Sequence, residues 1–248
     1  MRYLVLSDIH ANLEALETVL DAAAAEGYDR VVVLGDLVGY GADPNAVVDR
    51  IRAIGPVAVI RGNHDKVAAG LESSEGFNPT AQRSAAWTRE ALTPDNLDYL
   101  AALDKGPMAL EEHTIICHGS PVDEDTYIFG AADVSEALAA VDRRLCLFGH
   151  THLPMAARLS EDRDLELVFQ GPRERQSITF QSGFRYLVNP GSVGQPRDGD
   201  PRAAYAVLDV TEGEIEISRV RYPVEAASGK ILAAGLPKVL ADRLLLGR

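Results

Sequence analysis

Five unbroken apolar runs in the first 150 residues constrain the fold more than any other feature: YLVLS (3–7), RVVVLG (30–35), PVAVIRG (56–62), TIICHG (114–119) and LCLFGH (145–150). A strand with one wet face alternates apolar and polar residues. These runs do not, so each is expected to be covered on both faces, as in sheets flanked by helices. Helical spacing fills the gaps between them: Leu13, Leu16, Val19, Leu20 and Ala23; Val47, Ile51 and Ile54; Val134, Leu138 and Val141. TPDNLDYLAAL (93–103) begins with a Thr93 cap and proline at the first helical position. The expected class is α/β.

Beyond residue 150 the pattern changes to strand-like runs joined by short polar turns: PMAARLS, LELVFQ, QSITFQ, FRYLVNP, AAYAVLDV and EIEISRVRY. They are expected to form a second, largely antiparallel sheet. The stretch 161–183, with its charged turns EDRD and GPRER, reads as a hairpin extension. The stretch 224–246 reads as two short helices broken at Gly235-Leu236-Pro237. No repeat or linker interrupts the chain, so residues 1–248 are read as one domain of two packed sheets.

Composition narrows the function. The net charge of −13 argues against a surface that grips polymeric nucleic acid, because such binding relies on Lys and Arg neutralising phosphates. A small anionic substrate stays compatible with that charge if a metal inverts the field locally. Cys117 and Cys146 lie in apolar runs outside any Cys-x-x-Cys pair, which suits reduced, buried thiols. No run reaches membrane-spanning length, and the apolar start is too short for a signal peptide, so the expected compartment is the cytoplasm, without membrane contact.

Five of the six histidines stand at or just past the end of an apolar run, beside Asp, Asn or Gly. Asp8 and His10 follow the first run, Asp36 the second, and Asn63 and His64 the third. His118 follows the fourth, and His150 and His152 the fifth. Ligands bind beyond the carboxyl ends of strands in α/β sheets, so these runs would deliver metal ligands to one edge. In Asp8-Ile9-His10 and His150-Thr151-His152, an extended chain would turn both outer side chains to one side. Carboxylate and imidazole without thiolate suit Mn²⁺, Fe or Zn²⁺. One tetrahedral ion needs about four ligands. Seven candidates fit two ions sharing a carboxylate, which two-metal sites hold about 3.5–4 Å apart.

DIHAN, GDLVGYG, GNHD, CHGSP and GHTH stand in the order and spacing that resembles the calcineurin-like metallophosphoesterase superfamily. VNPGSVGQPRDGDPRAAYAVLD (188–209) is similar to its small bacterial phosphodiesterase branch. The resemblance implies a β-sandwich flanked by helices, in α/β/β/α layers. It implies that Asp8, His10 and His152 hold one divalent ion, that Asn63, His118 and His150 hold the other, and that Asp36 bridges them. Mn²⁺ comes first among candidate ions, with Fe, Zn²⁺, Ni²⁺ or Co²⁺ as alternatives. His64 would sit over the substrate as general acid or transition-state stabiliser, oriented by Asp65. A bridging water or hydroxide would attack a phosphodiester or small phosphomonoester. Two divalent ions against Asp8, Asp36 and one hydroxide leave about +1, which would draw phosphate into an acidic protein.

Where protein Ser/Thr phosphatases and symmetrical dinucleoside tetraphosphatases carry Arg-Gly after Gly-Asp, this chain has Gly39-Tyr40-Gly41. That loses a bidentate phosphate clamp. Arg61 and Arg197 are candidates to replace it, and Tyr40 is a candidate to line the pocket. Taken singly, each motif has a structural reading: Asn12 as a helix cap, Gly35-Asp36 and Asn189-Pro190-Gly191-Ser192 as turns. A rival functional reading is a non-catalytic metal-binding scaffold of the same fold, acting through protein interactions. Loss of Asp8, Asn63 or His64 would favour it, and all three are present.

Overall fold

The computed structural model describes residues 1–248 and places twelve strands in two six-stranded sheets. The strands are β1 (Arg2–Leu6), β2 (Arg30–Val33), β3 (Ala58–Val59), β4 (Met108–Glu111), β5 (Thr114–Ile116), β6 (Leu145–Leu147), β7 (Met155–Ser160), β8 (Leu165–Gln170), β9 (Arg175–Thr179), β10 (Phe184–Asn189), β11 (Ala203–Asp209) and β12 (Glu214–Val220). The helices are α1 (Leu13–Glu26), α2 (Pro44–Ile54), α3 (Asn63–Ala68), α4 (Pro79–Ala91), α5 (Pro94–Ala101), α6 (Ala131–Ala139), α7 (Val224–Ala233) and α8 (Lys238–Leu246).

The continuous apolar runs are explained by three stacked apolar layers. In β1, Leu4 and Leu6 face the helices while Tyr3 and Val5 face the other sheet. In β2, Val31 and Val33 divide from Val32 in the same way. In β6, Leu145 and Leu147 face the inter-sheet layer and Cys146 faces the layer under α6. Alternate residues point to opposite faces, and both faces are buried. The architecture is therefore an α/β sandwich of two sheets flanked by helices. Helices α1, α2, α7 and α8 contribute to the layer on the first sheet, and α6 covers the second.

The division of strands between sheets differs from the expectation. The first sheet runs β3-β2-β1-β11-β12-β9 and the second β4-β5-β6-β10-β7-β8, so each draws on both halves of the chain. Both are mixed: β1, β2 and β3 are parallel, as are β5, β6 and β10, and the other pairings are antiparallel. The stretch 161–183 is not an independent hairpin. β8 pairs with β7 in the second sheet, while β9 crosses over to pair with β12 in the first. Local pattern marks a strand, but its neighbour is chosen by long-range packing.

Two helices lie where no helix was expected. Helix α4 starts at Pro79, capped by the Asn78 side chain on the N–H groups of Thr80 (3.0 Å) and Ala81 (3.1 Å). Helix α3 consists of Asn63 to Ala68, all six buried. The caps at Asn12 and Thr93 form, on Ala15 N (3.1 Å) and Asn96 N (3.3 Å). No helix is long and apolar enough to cross a membrane.

Candidate metal centre

Because β1, β2 and β3 run parallel in one sheet and β5, β6 and β10 run parallel in the other, their following loops meet at one end of the sandwich. Asp8, His10, Asp36, Asn63, His118, His150 and His152 gather there, each between 0 and 9% exposed. Their possible ligand atoms fall into two groups, Asp8-His10-Asp36-His152 and Asp36-His118-His150, each with all its atoms within 4.8 Å of one another. Asp36 belongs to both. The amide oxygen of Asn63 lies 3.3 Å from His118 Nε2, on the side of the second group.

The backbone reaches this arrangement by a route different from the expected one. Asp8, His10, Asp36, His150 and His152 all have left-handed backbone, with φ from 49° to 66°. The ligand pairs flanking Ile9 and Thr151 thus converge through tight left-handed turns, not an extended chain. Non-glycine residues pay for that geometry on the order of 1 kcal/mol or more each, and such residues concentrate at functional sites.

Each of the four inward histidines is fixed by a backbone carbonyl on its outer nitrogen. His10 Nδ1 donates to Val38 O (3.1 Å), His118 Nδ1 to Leu34 O (2.8 Å), His152 Nδ1 to Gln195 O (2.5 Å) and His150 Nε2 to Asp125 O (3.0 Å). The remaining nitrogens crowd together: His10 Nε2 is 3.0 Å from His152 Nε2, and His150 Nδ1 is 3.2 Å from His118 Nε2. Carbonyl-oriented imidazoles with free inner nitrogens are the usual outer support of a metal site. Asp36 Oδ2 is buried without a hydrogen-bond partner, although His118 Nε2 and His10 Nε2 are 3.4 and 3.5 Å away. A buried carboxylate oxygen without a donor calls for a cation.

The electrostatics agree. Burial lowers His10 and His152 well below the ordinary histidine value and brings His150 to about 3, so these rings are neutral. Burial alone would lower His118 too, but Asp36 against it pushes it up to about 10. Burial would likewise raise Asp36, yet His118 holds it well below the carboxylate range. Burial raises Asp8 to about 7. The pocket holds carboxylates that one buried imidazole balances only in part, and divalent ions fit this donor set.

Around this cluster, Ser192 Oγ donates to Asp8 O (2.7 Å), while Ser7 Oγ donates to Asp8 Oδ2 (2.6 Å). Asn189 Nδ2 donates to Gly149 O (2.7 Å) and Thr151 Oγ1 (3.1 Å), which fixes the turn carrying His150 and His152. Asn189 and Ser192 lie in the stretch read from sequence as a turn, whereas Gln195 and Asp125 act through main-chain carbonyls, which leave no mark in residue pattern.

His64 lies at the rim, its ring centroid 5.0 Å from His10, 4.3 Å from Tyr40 and 4.7 Å from Phe77. Its Nδ1 is buried and has no partner, and burial lowers its pKa to about 4. The ring packs so tightly on Gly39 that a Cβ there would lie 2.5 Å from His64 Nδ1. Asp65 does not orient this ring. Its carboxylate accepts from Gly62 N (3.0 Å) and Val38 N (3.1 Å), tying α3 to the loop after β2.

Of the proposed substrate contacts, Tyr40 lies against His10 at 4.7 Å and against His64. Arg197 sits over Tyr40 (5.6 Å from the ring centroid), and its Nη2 donates to Gln195 Oε1 (2.8 Å). Its charge adds to burial in lowering His10, His64, His150 and His152. Arg61 is not free for phosphate: its Nε and Nη2 donate to both oxygens of buried Glu124, at 3.1 and 3.0 Å.

The model of the calcineurin-like phosphoesterase superfamily domain matches residues 1–213. The chain is similar to protein MJ0912 of Methanocaldococcus jannaschii, 38% identical over 250 residues that cover 98% of this chain and 97% of that one. It is similar to phosphodiesterase YfcE of Escherichia coli at 26% identity, covering 84% and 88% of the two chains. Among solved structures, a metallophosphoesterase from Sphaerobacter thermophilus matches with a TM-score of 0.86 and 37% identity over the whole of both chains. PH1004 from Pyrococcus horikoshii, at 20% identity and a TM-score of 0.80 over 100% and 98% of the chains, shares the fold. A family match of this extent, on a fold and a buried carboxylate–imidazole cluster that suit it, makes this chain a member of the calcineurin-like phosphoesterase superfamily and a metal-dependent phosphoester hydrolase.

Proposed function

We propose that the chain hydrolyses a small phosphodiester or phosphomonoester at a centre of two divalent ions, Mn²⁺ foremost. Asp8, His10 and His152 would hold one ion, Asn63, His118 and His150 the other, and Asp36 would bridge them. The observation that supports this reading is Asp36, which belongs to both groups of possible ligands and whose Oδ2 is buried without a donor. When bound, the ions supply Lewis acidity and lower the pKa of water toward about 7.

The chain's own residues do the rest. Carbonyls of Leu34, Val38, Asp125 and Gln195 hold the imidazoles with their free nitrogens inward. Gly39 lets His64 sit against the backbone, braced by Tyr40 and Phe77, where it offers a hydrogen bond to the departing oxygen. Arg197, held by Gln195 Oε1, is placed to meet a phosphate oxygen. Asp65 serves as a clamp between α3 and the loop after β2, outside the chemistry.

The test is turnover of bis(p-nitrophenyl) phosphate by chelated, dialysed protein before and after Mn²⁺ is restored. Turnover should vanish and return. Full turnover by demonstrably metal-free protein would overturn the reading.

A further inference from the structure

A cavity of about 260 Å³ opens directly off two of the candidate metal ligands, Asn63 and His150. Phe77 and Tyr127 form its aromatic walls, and Lys66, Glu72 and Asp125 supply its charged lining. Resting on the phosphoesterase reading above, we propose that this cavity takes a nucleobase, so that the substrate is a nucleoside phosphoester with its phosphate at the ion centre.

Two observations select that occupant. The first is shape. Tyr127 is stacked on His150 (centroids 3.9 Å apart, planes at 21°) and on Phe129 (5.2 Å, 11°), a column in which the faces of Tyr127 are taken and its edge borders the cavity. Tyr127 and Phe129 stay 42% and 53% exposed because Ile128 between them is buried and turns both outward. Phe77 packs one side of its ring on His64 and lines the cavity from α4's approach. The volume falls just below the ~300–1,000 Å³ of sites for whole drug-sized ligands, so it suits one ring system.

The second is charge. Lys66 is the cation of this cavity, and its ammonium already pairs with Glu72 (2.7 Å), Glu124 (3.4 Å) and Asp125. With Glu72 and Asp125 also in the lining, a second phosphate would meet carboxylates with no free cation, which disfavours sugar bisphosphates and polyphosphates and favours a neutral group.

The experiment is calorimetric titration of the Mn²⁺-loaded protein with inorganic phosphate and with the phosphonate analogues of ribose 5-phosphate and adenosine 5′-monophosphate, whose P–C bond the centre cannot hydrolyse. The nucleotide analogue should bind about 5- to 150-fold more tightly than the sugar analogue, the range for one base stacked on an aromatic side chain. In Phe77→Leu the ratio of the two affinities, which cancels any effect on phosphate binding, should fall toward unity. Equal affinity of wild type for the two ligands would overturn the base site while leaving the phosphoesterase reading intact. Failure of all three ligands to bind the metal-loaded protein would overturn both.

Discussion

At residue scale, ordinary local rules give way around the cluster. Asp8, His10, Asp36, His150 and His152 occupy a backbone region that costs L-residues energy, and Gly39, at φ 91°, takes the same side of the map to admit His64. The spacing of Asp8 from His10 and of His150 from His152 was legible in sequence, but its cause was not: nothing in a residue's identity announces left-handed backbone at Asp or His. The rim is equally specific. His64→Ala should keep metal content while slowing alkyl and nucleoside esters by ~10²–10³, the cost of losing one transition-state donor. Nitrophenyl esters, whose leaving group needs little help, should slow much less. A series of esters of graded leaving-group pKa reads this, and parallel lines for the two proteins would remove the leaving-group role. Gly39→Ala should reproduce that pattern by displacing the ring. It should also cost about 1–3 kcal/mol of stability, seen as a lower urea midpoint.

At the scale of elements, the strands were legible because burial on both faces leaves a continuous apolar run, as in Val31 to Leu34. Pairing was not. β1 is bound by β11, with Tyr3 opposite Leu208, and no local pattern encodes a partner two hundred positions away. Helix α3 is hidden in the sequence for a different reason. Its Asn63-His64-Asp65-Lys66 composition reads as a turn, and the partners that allow these polar side chains to be buried are distant in sequence: His118 for Asn63, Tyr40 for His64, the Val38 N–H for Asp65 and Glu124 for Lys66. Helix α4 did carry a signal, Asn78-Pro79, a cap followed by proline at the first position. The C-terminal helices lie beyond the stretch matched by the family, yet they are built into the core: Leu240 is 0% exposed, packed in the same layer as Leu16 and Val47. Leu240→Ala should therefore destabilise the whole fold by about 2–5 kcal/mol, measured by urea denaturation. A change under about half a kcal/mol would mean that α8 is a loosely held appendage.

At the scale of the molecule, two sheets are joined at one end by the centre itself. Asp8 and Asp36 come from the first sheet, His118, His150 and His152 from the second, and the loop after β10 ties them with the Ser192 bond to Asp8. A net charge of −13 surrounds this point. Polymeric nucleic acid should accordingly bind weakly, and a sub-micromolar affinity for DNA at physiological salt would contradict that expectation. Asp36 is the member common to both groups of possible ligands, and the proposed bridge rests on it. The most direct measurement is metal content per chain, by elemental analysis, for wild type, Asp36→Asn and His152→Ala after loading with Mn²⁺. Two ions per chain are expected in wild type, loss at both positions in Asp36→Asn and loss of one ion in His152→Ala. A wild type that binds a single ion, or an Asp36→Asn variant that loses no more metal than His152→Ala, would contradict the bridged centre.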